Sequence, residues 1–213
     1  KTSYDAPKAY ENLDFLHSRE ARALRILAEY QEPLSRFEHY EIDDTIVFMG
    51  SARLKSAEDA AAMMKAAEAG DGDMEIAQRA ERMSVYYEAA RELAFRMTEW
   101  SKGLGDGHRR FVVCTGGGPG IMEAANRGAS EADGINIGLT ISIPNETFEN
   151  PYISRELNVM FHYFFMRKFW FTYPAKAVVL FPGGFGTLDE LFEILTLIQT
   201  QKMKSIKIFG PVF

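Results

Sequence analysis

The sequence predicts a doubly wound α/β fold, in which helices cover both faces of a parallel sheet. Short, continuously apolar segments alternate along the chain with longer segments that have helical periodicity. Strands without alternating polar residues are typical of parallel sheets that are buried on both faces. Two glycine-rich segments also follow apolar strands directly and lead into helices. Together, these patterns indicate alternating β and α elements around one buried sheet.

Residues 1–43 are predicted to form a helical extension. Apolar residues recur at helical spacing among charged ones from about Leu13 to Phe37, and Pro33 is expected to break this helix. The β-branched apolar segment 45–49 (TIVFM) follows as the first buried strand. The main α/β domain is therefore expected to span residues 44–213.

The remaining elements continue the alternation. Further strands are predicted at 111–114, 135–143, 177–181 and 206–209, and helices at 56–69, 74–102, 118–132, 157–173 and 187–203. In such folds ligands bind at the carboxyl ends of the strands, at the loops that follow Met49, Cys114, Ile143 and Phe181. The first of these loops contains Ser51, which is a candidate binding residue.

Composition and charge restrict the classes of function. The 213 residues are 46% hydrophobic and 25% charged, which excludes a disordered or coiled-coil protein. A net charge of −6 argues against nucleic-acid binding, so an anionic ligand must be held by local groups. The single cysteine excludes a disulfide framework, and no apolar segment is long enough for a membrane span. We therefore expect a soluble, cytoplasmic protein with no membrane partner. The histidines lack metal-ligand spacing, so no metal is expected. No cofactor is expected either.

The two glycine-rich segments are residues 115–120 (TGGGPG) and 182–187 (PGGFGT). Glycine lets the backbone approach a ligand closely, and the N-terminus of the following helix presents unpaired N–H groups to an anion. The pair therefore predicts a phosphate-binding site, although tight turns without a ligand would look similar. The candidate binding residues in these segments are Gly117, Gly118, Gly183, Gly184, Phe185, Gly186 and Thr187.

The glycine spacing restricts the ligand. Neither segment fits the dinucleotide fingerprint G-x-G-x-x-G, and neither fits the P-loop pattern G-x-x-x-x-G-K-[ST]. A mononucleotide or a sugar phosphate is therefore favoured over a dinucleotide or a nucleoside triphosphate.

Two charged residues near the second glycine segment have competing interpretations. Thr187 and Glu190 have the spacing of a capping box, which would explain Glu190 structurally, but a carboxylate at this point could equally reach a ribose or a water molecule. Arg167 lies in an aromatic segment and requires an anionic partner. That partner could be a substrate phosphate or Glu190, or Arg167 could form a structural ion pair at a subunit interface.

The segment 182–190 (PGGFGTLDE) resembles the P-G-G-x-G-T-x-x-E motif of the Lonely Guy (LOG) family at every fixed position. The chain is similar to this family also in the pair Arg167-Lys168 and in residues 116–123 (GGGPGIME). The resemblance extends from about residue 45 to residue 210. Its longer subgroup is the more similar, through residues 150–152 (NPY) and the helical extension.

The resemblance implies a hydrolase that cleaves the N-glycosidic bond of a nucleoside 5′-monophosphate, with AMP or N6-modified (cytokinin) AMP as the favoured substrate. It implies that Arg167 and Glu190 are the catalytic pair and that the segment 184–187 holds the 5′-phosphate. Lys168, Thr196 and Glu146 would line the nucleotide site. The family is often labelled lysine decarboxylase, but no lysine here suggests a pyridoxal phosphate site. Family members are dimers or larger, so a homodimer or a higher homo-oligomer is expected.

The residue types fit this chemistry. Cleavage of a ribosyl C–N bond builds positive charge on the sugar, which a carboxylate can stabilise while it orients or deprotonates water. Arg167 is expected to position Glu190 and to lower its pKa so that the carboxyl stays ionised. The donor that protonates the departing base is not identified by the sequence.

Two alternatives remain open. A non-catalytic nucleotide- or molybdenum-cofactor-binding protein of the same fold would use the glycine loops and keep Glu190 only as a cap. A single-stranded DNA-handling protein of related fold is disfavoured by the acidic charge.

Overall fold

The computed structural model of the chain describes residues 6–105, 107–142, 148–203 and 206–210. These residues form a six-stranded sheet in the order β4-β3-β2-β1-β5-β6, and every strand pair is parallel. The strands are β1 Thr45–Met49, β2 Val112–Thr115, β3 Ile137–Ile141, β4 Asn158–Phe161, β5 Ala175–Leu180 and β6 Lys207–Phe209. The helices are α1 Leu13–His17, α2 Arg22–His39, α3 Ala57–Glu68, α4 Met74–Lys102, α5 Ile121–Glu131, α6 Phe164–Thr172 and α7 Phe185–Gln199.

Helices cover both faces of the sheet, which confirms the predicted doubly wound α/β fold. Alternate side chains of β1 enter two separate hydrophobic clusters. Val47 shares one cluster with Phe37 of α2 and Trp170 of α6, whereas Phe48 shares the other with alanines of α4 and α5. All five residues of β1 are buried, as expected of a central parallel strand.

One strand was not predicted from the sequence. The expected helix over 157–173 is wrong in its first part, because residues Asn158–Phe161 pair with β3 as the edge strand β4, and α6 begins only at Phe164. Buried Val159 and Phe161 alternate with exposed Asn158 and Met160, as on an edge strand with one covered face. Pairing with β3 decides the conformation here, and local sequence composition does not reveal it.

The expected helix break at Pro33 is also wrong. Helix α2 runs from Arg22 to His39 with Pro33 inside it. Proline has no N–H to donate to the carbonyl of the residue four positions earlier, which is Glu29. That carbonyl instead accepts a hydrogen bond from the indole N–H of Trp170 at 3.0 Å. Tertiary packing therefore satisfies the carbonyl oxygen that Pro33 leaves free in the helix.

The helix expected from about Leu13 is divided into α1 and α2 by a turn at residues 18–21. The other elements lie within a few residues of their predicted positions, and predicted strand 135–143 ends outside the described residues. None of the helices in the described ranges combines the length and apolarity needed to span a bilayer.

Candidate active site

The loop after β1 holds the two glycine loops side by side at the carboxyl edge of the sheet. The Ser51 N–H donates to the Pro182 carbonyl at 3.0 Å, and the Ser51 carbonyl accepts from the Ile121 N–H at 3.1 Å. The Ser51 hydroxyl accepts from the Arg53 N–H at 3.1 Å, within its own loop. Ser51 is thus a backbone bridge between the start of α5 and the loop that precedes α7.

The glycines of the first loop are required by packing and by backbone conformation. Gly117 and Gly120 both have φ of +71°, which disfavours residues with a side chain. A Cβ atom at Gly117 would overlap Thr140, and one at Gly120 would overlap the backbone of Ser51. A Cβ atom at Gly118 would lie 2.7 Å from Cε of Met122. The first loop is therefore a tightly packed turn that brings α5 against the loop after β1.

The glycines of the second loop have a different environment. Gly184 has φ of −93°, and a Cβ atom at Gly184 or Gly186 would meet nothing within 4 Å among the described residues. Gly186 lies in the first turn of α7, although glycine inside a helix costs about 0.5–1 kcal/mol relative to alanine. Gly183 alone is crowded, by the side chain of Thr187. Among the described residues, space is therefore open beside Gly184 and Gly186 at the start of α7, where N–H groups lack helical partners.

The predicted capping box is wrong. Helix α7 begins at Phe185, two residues before Thr187, and its N-cap Gly184 makes no side-chain capping bond. The Gly184 carbonyl already accepts the Leu188 N–H at 3.1 Å. Because Thr187 is inside the helix, its hydroxyl cannot cap the start of α7. Capping therefore does not explain Glu190, whose side chain faces Arg167 of α6.

Arg167 and Glu190 form a buried ion pair, with 3.6 Å between Nη2 of Arg167 and Oε1 of Glu190. Their side chains are only 14% and 12% exposed. The guanidinium lies over the rings of Phe164 and Phe171, with centroid distances of 5.2 and 5.3 Å. A Cβ atom at Gly116 would lie 3.8 Å from Nη1 of Arg167, so the pair borders the first glycine loop.

The ion pair leaves hydrogen-bonding capacity unused. Nε of Arg167 is buried and has no hydrogen-bond partner in the described part of the chain. The 3.6 Å separation from Glu190 also exceeds the usual length of an N–H···O hydrogen bond. A bound ligand or water between the two groups could satisfy both.

Burial raises the pKa of Glu190 above its ordinary value, and the nearby charge of Arg167 opposes this shift without cancelling it. The expectation of a lowered Glu190 pKa is therefore wrong, because the desolvation of the carboxylate outweighs a cation 3.6 Å away. Burial likewise lowers the pKa of Arg167, which stays charged because a guanidinium is so strongly basic. Glu190 is thus a stronger base than an exposed glutamate.

Lys168 points to two other carboxylates of α7. Its Nζ lies 2.5 Å from Oδ2 of Asp189 and 3.0 Å from Oε2 of Glu193. Burial opposes the charge of Lys168, but these hydrogen bonds raise its pKa overall. Arg167 and Lys168 therefore form adjacent links between α6 and α7. Asp189 and Glu193 were not predicted from the sequence as site residues, although their i, i+4 spacing was a signal that both could face one partner on another helix.

The structure brings only part of the predicted site together. Arg167, Lys168, Glu190 and the two glycine loops adjoin, whereas Thr196 lies two turns beyond Asp189 on α7. The hydroxyl of Thr196 donates to the carbonyl of Phe192 in its own helix at 2.7 Å. Glu146 lies outside the described residues. Where residues are described, no cluster of three or more His, Cys, Asp or Glu side chains has metal-site geometry.

A buried polar network behind the first glycine loop was also missed. Oδ1 of Asn126, which is fully buried, accepts from the hydroxyl of Thr115 at 2.6 Å and from Nδ2 of Asn150 at 3.0 Å. Its Nδ2 donates to Oδ1 of Asn136 at 2.8 Å. The hydroxyl of Thr115 in turn accepts the Gly117 N–H at 2.9 Å. The sequence signal for this network is Asn126, a polar residue on the otherwise apolar face of α5.

Residues 122–211 match the model of a protein family described as "possible lysine decarboxylase". Over these residues, the expected family resemblance is confirmed. The matched segment contains Arg167, Lys168 and the whole of the second glycine loop, and it begins after the first.

The chain is also similar to a pyrimidine/purine nucleotide 5′-monophosphate nucleosidase of Escherichia coli strain K12. The two are 35% identical over an alignment that covers 46% of this chain and 23% of the relative. This chain therefore matches less than a quarter of the length of that relative.

Two solved structures with similarity to this chain are molybdenum cofactor proteins. The binding protein of Rippkaea orientalis is 17% identical over 80% of this chain and 76% of its own, with a TM-score of 0.43. The carrier protein of Chlamydomonas reinhardtii is 18% identical over 79% of this chain and 78% of its own, with a TM-score of 0.45.

Proposed function

We propose that this protein is a phosphoribohydrolase that cleaves the N-glycosidic bond of a nucleoside 5′-monophosphate, with AMP or N6-modified AMP as substrate. The observation that carries the proposal is the buried pair of Arg167 and Glu190, which borders the first glycine loop and includes a residue of the helix that follows the second. The sequence similarity to a nucleotide 5′-monophosphate nucleosidase supports nucleotide hydrolysis as the reaction class.

The 5′-phosphate binds at the start of α7 in this proposal. The N–H groups of the first helical turn have no helical acceptor, and the helix dipole favours an anion there. Gly184 and Gly186 leave open space at this point, and no packing contact of the described residues requires glycine at either position. A ligand that approaches the backbone closely explains the choice of glycine.

Glu190 lies one and a half turns along the same helix, within reach of the ribose of a nucleotide anchored there. As the bond from C1′ to the base nitrogen breaks, its electron pair leaves with the base and positive charge develops on the ribose. The carboxylate stabilises that charge and accepts a proton from the water molecule whose oxygen bonds to C1′. The raised pKa of Glu190 makes it a better proton acceptor at neutral pH.

Arg167 orients the carboxylate and keeps it ionised against the cost of burial. The rings of Phe164 and Phe171 fix the plane of the guanidinium, and its buried Nε–H has no partner among the described residues. Arg167 itself cannot protonate the departing base, since it does not release its proton in proteins. That proton comes from another group or from solvent.

The family description names a decarboxylase, a reaction for which pyridoxal phosphate requires a lysine that can form a Schiff base. The lysine of this site does not fit that group. Lys168 is held by two carboxylates, which raise its pKa and keep the amine protonated. No step of the proposed reaction passes through that cofactor.

A homodimer, or a higher homo-oligomer, is part of the proposal. Large apolar side chains of α6 and α7 are exposed, with Phe164 at 55%, Phe165 at 51% and Phe192 at 62%. Large aromatic side chains are enriched in protein interfaces. We further propose a cytoplasmic location, and a division of the chain into a helical extension over 1–43 and a catalytic domain over 44–213.

The test is incubation of the purified protein with AMP, GMP, CMP, UMP and N6-isopentenyl-AMP, followed by chromatography for free base. Release of adenine or its modified form, abolished by Glu190→Gln, supports the proposal and ranks the substrates. Glu92→Gln is the matched control, because Glu92 is exposed and pairs only with Arg96 on α4 among the described residues.

Tight nucleotide binding with no base released from any of the five would reject the enzyme. That result would favour the alternative of a non-catalytic nucleotide- or molybdenum-cofactor-binding protein. Release of base that Glu190→Gln leaves unchanged would reject the role given to Glu190.

A further inference from the structure

Helix α2 of the N-terminal extension caps the helix that carries Arg167. Oε1 of Glu29 accepts the His162 N–H at 2.7 Å, and Oε2 accepts the Tyr163 N–H at 3.2 Å. Tyr163 is the N-cap residue of α6 and makes no side-chain capping bond of its own. The first turn of α6 also contains no acidic residue. Glu29 therefore supplies the carboxylate that the start of this helix lacks.

The backbone of Glu29 holds the other end of the same helix. Because Pro33 cannot donate to it, the Glu29 carbonyl accepts the indole N–H of Trp170 at 3.0 Å. Trp170 is 1% exposed and packs edge-on against Phe37 of α2, with ring centroids 5.3 Å apart. One residue of α2 thus binds α6 both before its first turn and near its C-terminal end.

Arg167 lies between these two attachment points. The helix is only nine residues long, so a rotation or a slide of α6 moves the guanidinium directly. The gap between Arg167 and Glu190 is already 3.6 Å, and a further displacement weakens their interaction. The position of α6 therefore sets how strongly Arg167 acts on the carboxylate.

We propose that Glu29 is a positioning residue that holds α6 so that Arg167 stays beside Glu190. The inference rests on the proposed function for its kinetic consequence, but the geometry it describes does not depend on turnover. In this proposal the N-terminal extension supports the site through Glu29, although none of the residues proposed to touch substrate lies in the extension.

The test compares Glu29→Ala, Glu29→Gln and the control Glu38→Gln, which makes the same charge change at an exposed position of α2. Displacement of a catalytic group by about 1 Å can lower kcat about a hundredfold. For a smaller displacement of Arg167 in Glu29→Ala, we expect kcat for AMP to fall on the order of tenfold. The KM for AMP should change little, because the proposed phosphate loop lies at the start of α7. Glu29→Gln keeps one acceptor oxygen and should fall between Glu29→Ala and the wild type.

A second measurement does not require turnover. The charged groups that face Glu190 are Arg167 and Lys168 of α6 and Asp189 of its own helix. When α6 moves away, the receding cations raise the pKa of Glu190 and the solvent that enters lowers it. The pKa of Glu190 should therefore differ from the wild-type value in Glu29→Ala and differ less in Glu29→Gln. Carbon-13 NMR of labelled glutamate carboxyls measures this pKa, with the resonance assigned by its loss in Glu190→Gln.

The outcomes separate the two proposals. Absence of base release by the wild type, together with a Glu190 pKa that differs from the wild-type value in Glu29→Ala, would reject the proposed function and support the positioning role. A Glu190 pKa and a kcat that match the wild type in both Glu29 variants would overturn the positioning role. If Glu29→Ala does not fold, Glu29→Gln carries the test, and its agreement with Glu38→Gln in both measurements would likewise overturn the inference.

Discussion

Gly186→Ala is expected to make the protein more stable and less able to bind a nucleotide. Gly186 is the second residue of α7, and a methyl group there meets no atom of the described structure within 4 Å. Alanine is favoured over glycine in a helix by about 0.5–1 kcal/mol. If a phosphate approaches the backbone at this point, the same methyl group obstructs it.

The two effects have different sizes. With a urea m-value of about 2 kcal/mol/M, the stability gain moves the unfolding midpoint up by roughly 0.25–0.5 M. A lost or lengthened hydrogen bond from a backbone N–H to a phosphate costs about 1.5–3 kcal/mol. At about 1.4 kcal/mol for each tenfold change, the KM for AMP should rise by roughly 10- to 150-fold.

Urea unfolding and the KM for AMP are measured on the same preparations. The control is Ser35→Ala, a helix-favouring change at an exposed position in α2 that should leave the KM for AMP unchanged. A Gly186→Ala protein that is more stable and keeps the wild-type KM would refute the reasoning, because the open space at the start of α7 would then have no ligand.

Three further predictions concern the loops and the ion pair. Gly120→Ala should lower the free energy of unfolding by about 1–3 kcal/mol or more, because Gly120 has φ of +71° and the added Cβ would overlap the backbone of Ser51. An unchanged urea midpoint would contradict this prediction. The kcat/KM for AMP should rise with pH through the pKa of Glu190 in the free enzyme, and because burial raises that pKa, the midpoint of the ascending limb should lie above the ordinary value for glutamate. A midpoint at or below that value would refute the assignment of Glu190 as the base. Arg167→Lys should lower kcat by about tenfold or more, since an ammonium cannot stack on Phe164 and Phe171 as a planar guanidinium does. Equal kcat values for the variant and the wild type would contradict this and show that only the charge matters.

The sequence predicted most of the fold because local patterns and tertiary structure agree over most of the chain. Strand β1 has the predicted boundaries, since a β-branched apolar run has few other ways to be buried. The two glycine loops lie at the carboxyl edge, as parallel topology requires. Arg167 and Glu190 meet because the helices after β4 and β5 pack beside each other on one face.

The errors arise where a distant partner decides the local structure. Strand β4 exists because β3 offers an edge, and α2 continues through Pro33 because Trp170 satisfies the carbonyl of Glu29. The Glu190 pKa was predicted in the wrong direction because the distance to Arg167 and the burial of both groups are tertiary quantities. The contact between Glu29 and the start of α6 gives no sequence signal, since an isolated glutamate on a helix is ordinarily solvated.

The most direct test of the central claim is the product balance from AMP together with AMP binding by Glu190→Gln. The wild type is expected to release adenine and ribose 5-phosphate in equal amounts, and Glu190→Gln is expected to bind AMP in calorimetry but to release neither. Formation of adenosine and inorganic phosphate, or no product from AMP and from N6-isopentenyl-AMP with a wild-type protein that binds both, would contradict N-glycosidic cleavage at the site formed by Arg167 and Glu190.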